Sequence, residues 1–190
     1  MPFEGVICGK VKVLNGSPRV KGNTAMLCEA FTTGAESVGH TVTRFDLQKM
    51  TIHGCLGCMK GGKDVASPCV QKDDMQKIYP AYVKADLVVL ASPLYYWSFS
   101  GQLKTAFDRL FAVAETDPKY ANPVKDCALI MAAEGDSQEN WKPVLDYYKA
   151  LVGFMGWHDL GQVLAGGVLQ AGAVAGKPVL EEARKFGAAL

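Results

Sequence analysis

The stretch from Lys12 to Thr24, which reads KVLNGSPRVKGNT, combines residue types that bind a phosphate group. Apolar residues lead into a glycine- and proline-containing turn, and a helix is predicted to begin at its end. The start of a helix offers unpaired backbone N–H groups and a partial positive charge, which hold an anion. Ser17, Asn23 and Thr24 add short side-chain donors, and Arg19 adds a positive charge. This composition indicates a phosphate-ester site, and it is equally compatible with an ordinary turn between strand and helix.

The same turn lacks two well-known nucleotide signatures. It does not end in the Gly-Lys-Ser/Thr of a P-loop, and it does not have the GxGxxG spacing of a dinucleotide-binding fold. We therefore do not expect ATP or a Rossmann-bound dinucleotide at this position.

Four aromatic residues, Tyr95, Tyr96, Trp97 and Phe99, follow an apolar segment that is predicted to be a central strand. At the carboxyl end of such a strand they are exposed unless something flat covers them. A planar heterocycle stacked on these rings would gain about 0.5 to 1.5 kcal/mol per pair beyond burial. Packing in a dimer interface or against the core would satisfy the rings equally well.

The residues after this aromatic cluster have the periodicity of a helix from Gly101 to Val113. Its apolar positions are predicted to face the sheet, namely Leu103, Phe107, Leu110 and Phe111. Its charged positions are predicted to form a solvated or interface face, namely Lys104, Asp108 and Arg109.

A CxxC pair, Cys55 and Cys58, is followed by Cys69 in a long connection from Thr51 to Lys72. Neighbouring thiols exchange readily, so a reversible disulfide is one interpretation. A second is a zinc set completed by His53. The third, which we favour, is that the thiols only pack the loop, so no metal ligand is predicted. The other cysteines, Cys8, Cys28 and Cys127, are expected to be small buried apolar residues.

Strand-length apolar runs alternate with helical patterns along the chain. The predicted strands are Lys10 to Leu14, Thr41 to Asp46, Leu87 to Ser92, Cys127 to Ala132 and Trp157 to Ala165. The predicted helices are Thr24 to Val38, Asp74 to Ala85, Gly101 to Val113, Gln138 to Gly153 and Lys177 to Ala189. This alternation predicts an α/β, flavodoxin-like, doubly wound parallel sheet of five strands, in the order 2-1-3-4-5, with helices on both faces. In that order a ligand lies beyond the carboxyl ends of the first and third strands.

Composition narrows the function classes. The 190 residues are 49% hydrophobic and 21% charged, which predicts one domain over residues 1–190. Twenty basic and 19 acidic residues give a net charge of +1 without a basic block, so no nucleic-acid partner is expected. Apolar runs too short to cross a bilayer and the absence of a signal-peptide pattern predict a cytoplasmic protein with no membrane partner. Six cysteines are too sparse for a disulfide scaffold.

Together, GSPRVKGNT and SPLYYWSFSGQLKTAFDR closely resemble segments of the NAD(P)H-dependent FMN reductase and iron-sulfur flavoprotein branch of the flavodoxin-like superfamily. The resemblance runs over nearly the whole chain. It implies that the FMN phosphate would be held by Ser17, Arg19, Asn23 and Thr24. It implies that the ribityl chain and the isoalloxazine ring would lie along Pro93, Leu94, Tyr95, Tyr96 and Trp97. The other side of the flavin would be closed by Ala133, Glu134, Gly135 and Asp136.

The resemblance also implies an activity. Hydride would pass from NADPH or NADH to FMN, and electrons would continue to an unidentified acceptor such as a quinone, a flavin, a metal ion or a protein. The protein would supply positioning and stacking, so no catalytic residue is predicted. A homodimer or homotetramer is expected. The alternatives are an FMN electron carrier without enzymatic activity, and a redox or metal sensor built on the cysteine loop.

The cysteine loop departs from the motif of the iron-sulfur members of this group. That motif reads CxxCxxC with a fourth cysteine a few residues later, whereas Gly61 stands in the third position here. Three thiolates leave a [4Fe-4S] cluster one ligand short, so we predict no cluster.

Overall fold

Five parallel strands form the central sheet of the computed structural model, which describes residues 9–190. The strands are β1 (Lys10–Asn15), β2 (Thr41–Asp46), β3 (Leu87–Pro93), β4 (Asp126–Ala132) and β5 (His158–Ala165). Their order across the sheet is β2-β1-β3-β4-β5, and every neighbouring pair is parallel. This confirms the predicted topology, because each apolar run is long enough for one buried strand and each of the first four strands is joined to the next by a crossover segment.

The helices occupy the intervals between the strands. They are α1 (Asn23–Ser37), α2 (Met75–Val83), α3 (Gly101–Arg109), α4 (Phe111–Ala114), α5 (Gln138–Met155) and α6 (Pro178–Ala188). A single 3₁₀ turn, Leu47–Lys49, follows β2. The helix predicted from Gly101 to Val113 is two helices, because the regular α-helical hydrogen bonding is interrupted at Leu110. The other predicted helices end within two residues of the observed ones.

The pleat of the strands divides the core into two layers. Leu87, Val89 and Ala91 of β3 face the core under α1 and α6. Val88 and Leu90, which alternate with them, face the core under α2, α3 and α5. Both faces of the sheet are therefore covered by helices, as predicted.

Two of the buried cysteines were located correctly from the sequence. Cys28 is a residue of α1 and lies in the core between this helix and the sheet, and Cys127 lies in the core on the opposite face of the sheet. Cys8 lies outside the described residues, so its predicted burial stays a prediction.

Helices α1 and α6 pack unusually closely. A Cβ added at Gly34 of α1 would lie 1.9 Å from the carbonyl oxygen of Arg184, and one added at Gly187 of α6 would lie 2.1 Å from that of Phe31. The rings of Phe31 and Phe186 also meet edge to face, with centroids 5.7 Å apart. Glycine on both helices is what allows the two backbones to touch.

Two predictions about the helix after the aromatic cluster were wrong. Arg109 is not solvated: its side chain is 1% exposed and is ion-paired to Asp73. Phe111 does not face the sheet: it is 42% exposed and stacks on Tyr120. The break at Leu110 shifts the helical phase, which turns Phe111 outward. Lys104 and Asp108 are exposed, as predicted, and they form an ion pair with each other.

Between the 3₁₀ turn and α2, residues 50–74 contain no helix or strand, which agrees with the long connection predicted from the sequence. No helix among residues 9–190 has the length and apolar character needed to cross a bilayer.

Candidate functional site

The turn after β1 is fixed by hydrogen bonds to three neighbouring elements. The side chain of Asn15 donates to Asp46 at the end of β2 (3.0 Å) and accepts from the N–H of Ser17 (3.1 Å). The N–H of Gly16 donates to a carbonyl of β3, and its carbonyl accepts from the hydroxyl of Ser100 at the start of α3 (2.7 Å). Asn15 and Ser100 were not among the predicted site residues, although an asparagine at a strand end before Gly-Ser is a known turn signal.

Helix α1 begins with unpaired backbone donors. Its N-cap residue is Gly22, and no side chain caps it. Met26 is the first residue of the helix whose N–H has an acceptor, the carbonyl of Gly22 at 3.1 Å. Nothing among residues 9–190 accepts a hydrogen bond from the N–H groups of residues 23–25. Such a helix start can offer several charge-assisted hydrogen bonds to an anion.

Ser17 and Arg19 close this turn into a cradle. The Ser17 hydroxyl accepts from the N–H of Arg19 and donates to its carbonyl, both at 3.2 Å. A Cβ added at Gly22 would lie 2.8 Å from the Cβ of Arg19, so glycine keeps the cradle open. The donors here are backbone N–H groups, a hydroxyl and a guanidinium, which is the donor set that a phosphate requires.

The side-chain amide of Asn23 is engaged by the loop after β5. Its Nδ2 donates to the carbonyls of Val168 and Gln170 (both 2.9 Å), and its Oδ1 accepts from the N–H of Val174 (3.1 Å). One guanidinium nitrogen of Arg19 donates to the carbonyl of Leu169 (3.0 Å). Asn23 therefore offers the turn its backbone N–H, while its side chain holds the loop against the turn.

The aromatic residues after β3 form a tight turn beside the cradle. Tyr95 and Ser98 exchange two backbone hydrogen bonds, of 3.1 and 3.0 Å. Between them, Tyr96 and Trp97 have positive φ angles of 46° and 58°. Side chains other than glycine rarely adopt this region, and each such residue stores about 1 to 3 kcal/mol of strain. Tyr96 is 95% exposed and Trp97 is 56% exposed, so the strain presents two rings to the solvent.

Phe99 does not belong to this exposed group. It is buried and packs edge to face on Tyr147 of α5, with centroids 5.3 Å apart. Core packing, which the sequence left open for all four aromatic residues, is correct for this one.

The turn after β4 forms the opposite wall. The carbonyls of Ala133 and Glu134 accept from the N–H groups of Val168 and Gly167, which adds the loop after β5 to this wall. The side chain of Asn140 donates to the carbonyl of Gly135 (3.1 Å). Asp136 lies apart from the wall: a Cβ on Gly166 would be 1.8 Å from its carboxylate oxygen, so that side chain packs against the glycine.

Two adjoining pockets join these three turns into a groove at the carboxyl edge of the sheet. The phosphate-side pocket has a volume of about 180 Å³ and is lined by Ser17, Arg19, Gly22, Asn23, Thr24, Pro93, Leu94, Tyr95, Ala132, Ala133, Glu134, Val168 and Leu169. The ring-side pocket has a volume of about 220 Å³ and is lined by Leu94, Tyr96, Trp97, Ala133, Glu134, Gly135 and Asn140. The structure thus brings together every site residue predicted from the sequence except Asp136. Val168, Leu169 and Asn140 were missed, because nothing in their local sequence distinguishes them.

This groove fits FMN. A polar cradle for a phosphate lies at one end and two exposed aromatic rings lie at the other, which is the order of polarity along the cofactor. None of the three histidines lines the groove. Among the residues that the structure describes, no group of three or more His, Cys, Asp and Glu side chains is arranged to hold a metal ion.

Comparisons with known proteins agree on a family and a fold. A family model described as NADPH-dependent FMN reductase matches residues 10–167. An iron-sulfur flavoprotein of Archaeoglobus fulgidus is 36% identical over 95 residues, which are 50% of this chain and 42% of that protein. An iron-sulfur flavoprotein of Methanosarcina thermophila is 24% identical over 174 residues, covering 91% of this chain and 85% of that protein.

The chain spans about half the length of the first curated relatives that it matches. Among solved structures, an NAD(P)H:quinone oxidoreductase from Methanothermobacter marburgensis superposes with a TM-score of 0.72. It is 20% identical, and the superposition covers 95% of this chain and 96% of that one, which shows a shared flavodoxin-like fold.

Proposed function

The chain belongs to the NADPH-dependent FMN reductase family, and we propose that it is an FMN-dependent oxidoreductase. In this proposal, NADPH or NADH delivers hydride to bound FMN, and the electrons continue to a quinone, a flavin, a metal ion or a protein. The single observation that carries the proposal is the groove, which has a phosphate cradle at one end and an exposed aromatic turn at the other.

The FMN, when bound, supplies the hydride and electron chemistry itself. The residues of the chain then have three tasks. The N–H groups at the start of α1, with Ser17 and Arg19, bind the phosphate. Tyr95, Tyr96 and Trp97 orient the ring by stacking and shield one side of it from water.

The wall opposite the aromatic turn completes the pocket. Ala133, Glu134 and Gly135 line the ring side of the groove. Asn140 fixes the carbonyl of Gly135 and so holds this wall in place. We propose no role in binding for the side chain of Asp136, since it packs against Gly166.

The test is the visible spectrum of the purified protein, recorded before and after NADPH is added without oxygen. We expect oxidised-flavin bands that bleach. Repeating the titration with NADH and comparing the two rates then identifies the preferred nicotinamide. Flavin bands that persist with both nicotinamides would support the electron-carrier alternative, and a colourless protein that also fails to bind added FMN would overturn the proposal.

Three broader features belong to the same proposal. Residues 1–190 form one FMN-binding domain, the protein acts in the cytoplasm, and it assembles as a homodimer or homotetramer. The sparse cysteines support a reducing compartment. Exposed apolar side chains such as Val124 and Phe154 support an assembly that covers them. Light scattering of the purified protein measures the assembly directly, and a monomeric mass would contradict that part.

The cysteine loop does not fit the cluster that the names of the iron-sulfur relatives indicate for those proteins. Cys55, Cys58 and Cys69 are three thiols where a four-cysteine set is needed, and Gly61 stands in the remaining position. In the proposed reaction, electrons therefore pass between nicotinamide, FMN and acceptor without a cluster.

A further inference from the structure

Three cysteines of the long loop line one pocket that is partly open to solvent. Cys55, Cys58 and Cys69 surround a cavity of about 80 Å³ against α3 and α4. The cavity admits a small molecule and is too small for a flavin or a nicotinamide. It shares no lining residue with the groove assigned to FMN, so the proposed oxidoreductase function leaves these three thiols unused.

Hydrogen bonds hold the two arms of this loop side by side. The side chain of Gln71 donates to the carbonyl of Gly54 (3.0 Å), and the N–H of Gly62 donates to the carbonyl of Pro68 (2.9 Å). Gly54 directly precedes the CxxC pair, and Cys69 lies between Pro68 and Gln71. The arm that carries the CxxC pair is therefore fixed next to the arm that carries Cys69.

Arg109 places a guanidinium group, which is also paired with Asp73, against one of the three sulfurs. Its Nη2 donates to the Sγ of Cys69 at 3.4 Å, and both of its Nη atoms bond to the carboxylate of Asp73. The side chain is 1% exposed and lines the pocket. Its Nε is buried and has no hydrogen-bond partner among residues 9–190. A guanidinium next to a partly exposed sulfur is a typical environment of a nucleophilic thiol.

The core cysteines have the opposite environment. Burial raises the pKa of the Cys28 thiol to about 12 and that of the Cys127 thiol to about 11. Both sulfurs are closed off from solvent, and that of Cys127 is in contact with the hydroxyl of Tyr148 (3.3 Å). Inert thiols of this kind give an internal control within the same chain.

We propose that Cys69 is a site of reversible oxidation by hydroperoxides, and that a cysteine of the CxxC pair resolves the oxidised Cys69 to a disulfide. In the first step the Cys69 thiolate attacks the peroxide, the O–O bond breaks, and a sulfenic acid forms while the other oxygen leaves as an alcohol or water after gaining a proton. In the second step the thiol of Cys58 or Cys55 attacks the sulfenic sulfur, the S–O bond breaks, and water leaves. Two thiols thereby lose two electrons and two protons to one peroxide.

In the experiment, iron and sulfide are first assayed in the full chain with reduced thiols and bound oxidised FMN. This protein is then treated with hydrogen peroxide in the absence of nicotinamide. We expect no stoichiometric iron or sulfide. We expect the intact mass to fall by two hydrogens, and peptide mapping to join Cys69 to Cys55 or Cys58, with dithiothreitol restoring the starting mass. We expect Cys28 to stay reduced in the same digest. The oxidation state of Cys8 is measured in the same peptide map.

Two sets of variants assign the roles. Cys69→Ser is expected to slow the oxidation of the remaining loop thiols by about tenfold or more, because the thiol beside Arg109 is the one that attacks. In the double variant Cys55→Ser and Cys58→Ser, the loop from Thr51 to Lys72 has no second thiol to resolve the intermediate, and dimedone is expected to label Cys69. The double variant keeps Cys69 in place, so it remains informative if Cys69→Ser disturbs the loop.

Three outcomes would overturn the proposal. The first is a disulfide between Cys55 and Cys58 with Cys69 still reduced. The second is an unchanged oxidation rate in Cys69→Ser together with no dimedone label on Cys69 in the double variant. The third is stoichiometric iron and sulfide bound to the loop. None of these bears on flavin binding or on NADPH oxidation, so the proposed function is tested separately.

Discussion

Arg109 and Asp73 form a buried ion pair that fixes the long cysteine loop to the end of α3. The two guanidinium Nη atoms donate to the two carboxylate oxygens at 2.6 and 3.2 Å. The side chains are 1% and 3% exposed. Asp73 also accepts from the N–H groups of His53 and Met75, and Arg109 donates to the carbonyl of His53. A residue predicted to be solvated is thus the anchor of the least regular part of the fold.

The first prediction is that the contribution of the Arg109–Asp73 ion pair to stability depends on pH. Burial alone would raise the pKa of the Asp73 carboxyl, but hydrogen bonds from Arg109, His53 and Met75 outweigh burial and hold its pKa below the ordinary value. The unfolded chain therefore takes up this proton at a higher pH than the folded protein does. The ionised Asp73 carboxylate therefore stabilises the folded protein fully above the pKa of an aspartate in the unfolded chain, which is about 4. This stabilisation is lost as the pH falls below that value.

Asp73→Asn should accordingly lower the free energy of unfolding at pH 7 by about 3 to 5 kcal/mol, because Arg109 is left as a buried, uncompensated charge. Urea unfolding between pH 7 and pH 3 measures the free energy of unfolding of both proteins. The difference between the parent and the variant should become smaller towards pH 3. Asp108→Asn on the same helix removes an exposed pair and should cost about 1 kcal/mol or less. If the difference in the free energy of unfolding between parent and Asp73→Asn does not change with pH, protonation of Asp73 is not linked to stability.

The second prediction concerns the phosphate cradle. Arg19→Ala should weaken FMN binding by about 1.5 to 3 kcal/mol, since a charge-assisted hydrogen bond to the phosphate is lost. Quenching of FMN fluorescence on binding measures the affinity. Lys21→Ala is the matched control, because this exposed cation belongs to the same turn but lines neither pocket. Equal affinities for the two variants would remove Arg19 from the site.

The third prediction concerns the strained aromatic turn. Tyr96→Gly removes a side chain that is 95% exposed and relieves a φ of 46°. We expect the FMN-free protein to gain up to about 1 kcal/mol of stability while FMN binding weakens, because the ring that covers the flavin is gone. Thermal unfolding without FMN and an FMN titration test the two halves. Phe154→Ala, which truncates an exposed aromatic residue far along α5, should leave FMN affinity unchanged.

The fourth prediction concerns Asn23. Asn23→Ala leaves the carbonyl of Val168 and the N–H of Val174 without their partner, while the carbonyl of Gln170 keeps the N–H of Ala173. Each buried group left unpaired costs about 1 to 3 kcal/mol, so the loop after β5 should detach from the turn. Hydrogen exchange should accelerate over residues 168–174 and FMN should bind more weakly. Thr33→Ala, which removes an exposed hydroxyl bond within α1, should change neither.

The fifth prediction compares two helical glycines. Gly34→Ala places a methyl group against the backbone of α6 and should destabilise the fold by about 1 to 3 kcal/mol. Gly153→Ala in α5 meets nothing within 4 Å and should stabilise it by up to about 1 kcal/mol through helix propensity. Urea unfolding of both variants should give opposite signs. Stabilisation by both variants would show that propensity, and not the contact between α1 and α6, decides the outcome.

How much of the site was predictable depends on the distance over which each signal acts. Ser17 and Arg19 stand in the same short turn, and Tyr96 and Trp97 in another, so local composition marked both segments. Val168 reaches the groove from the loop after β5 and Asn140 from the first turn of α5, whereas Asp136 lies beside predicted site residues yet packs elsewhere. The residues next to these positions in the sequence do not predict such contacts.

The sequence by itself determined the five strands, because apolar periodicity and turn residues act over a few positions. The alternation of these strands with helices then predicted their order and the edge of the sheet at which a ligand lies. Only the tertiary structure decided which side chains of different elements contact one another. Arg109 finds its partner 36 residues away, and Asn23 finds one 145 residues away. A helical pattern shows only that a position is polar, and burial of a polar group is favourable only where folding supplies its partner.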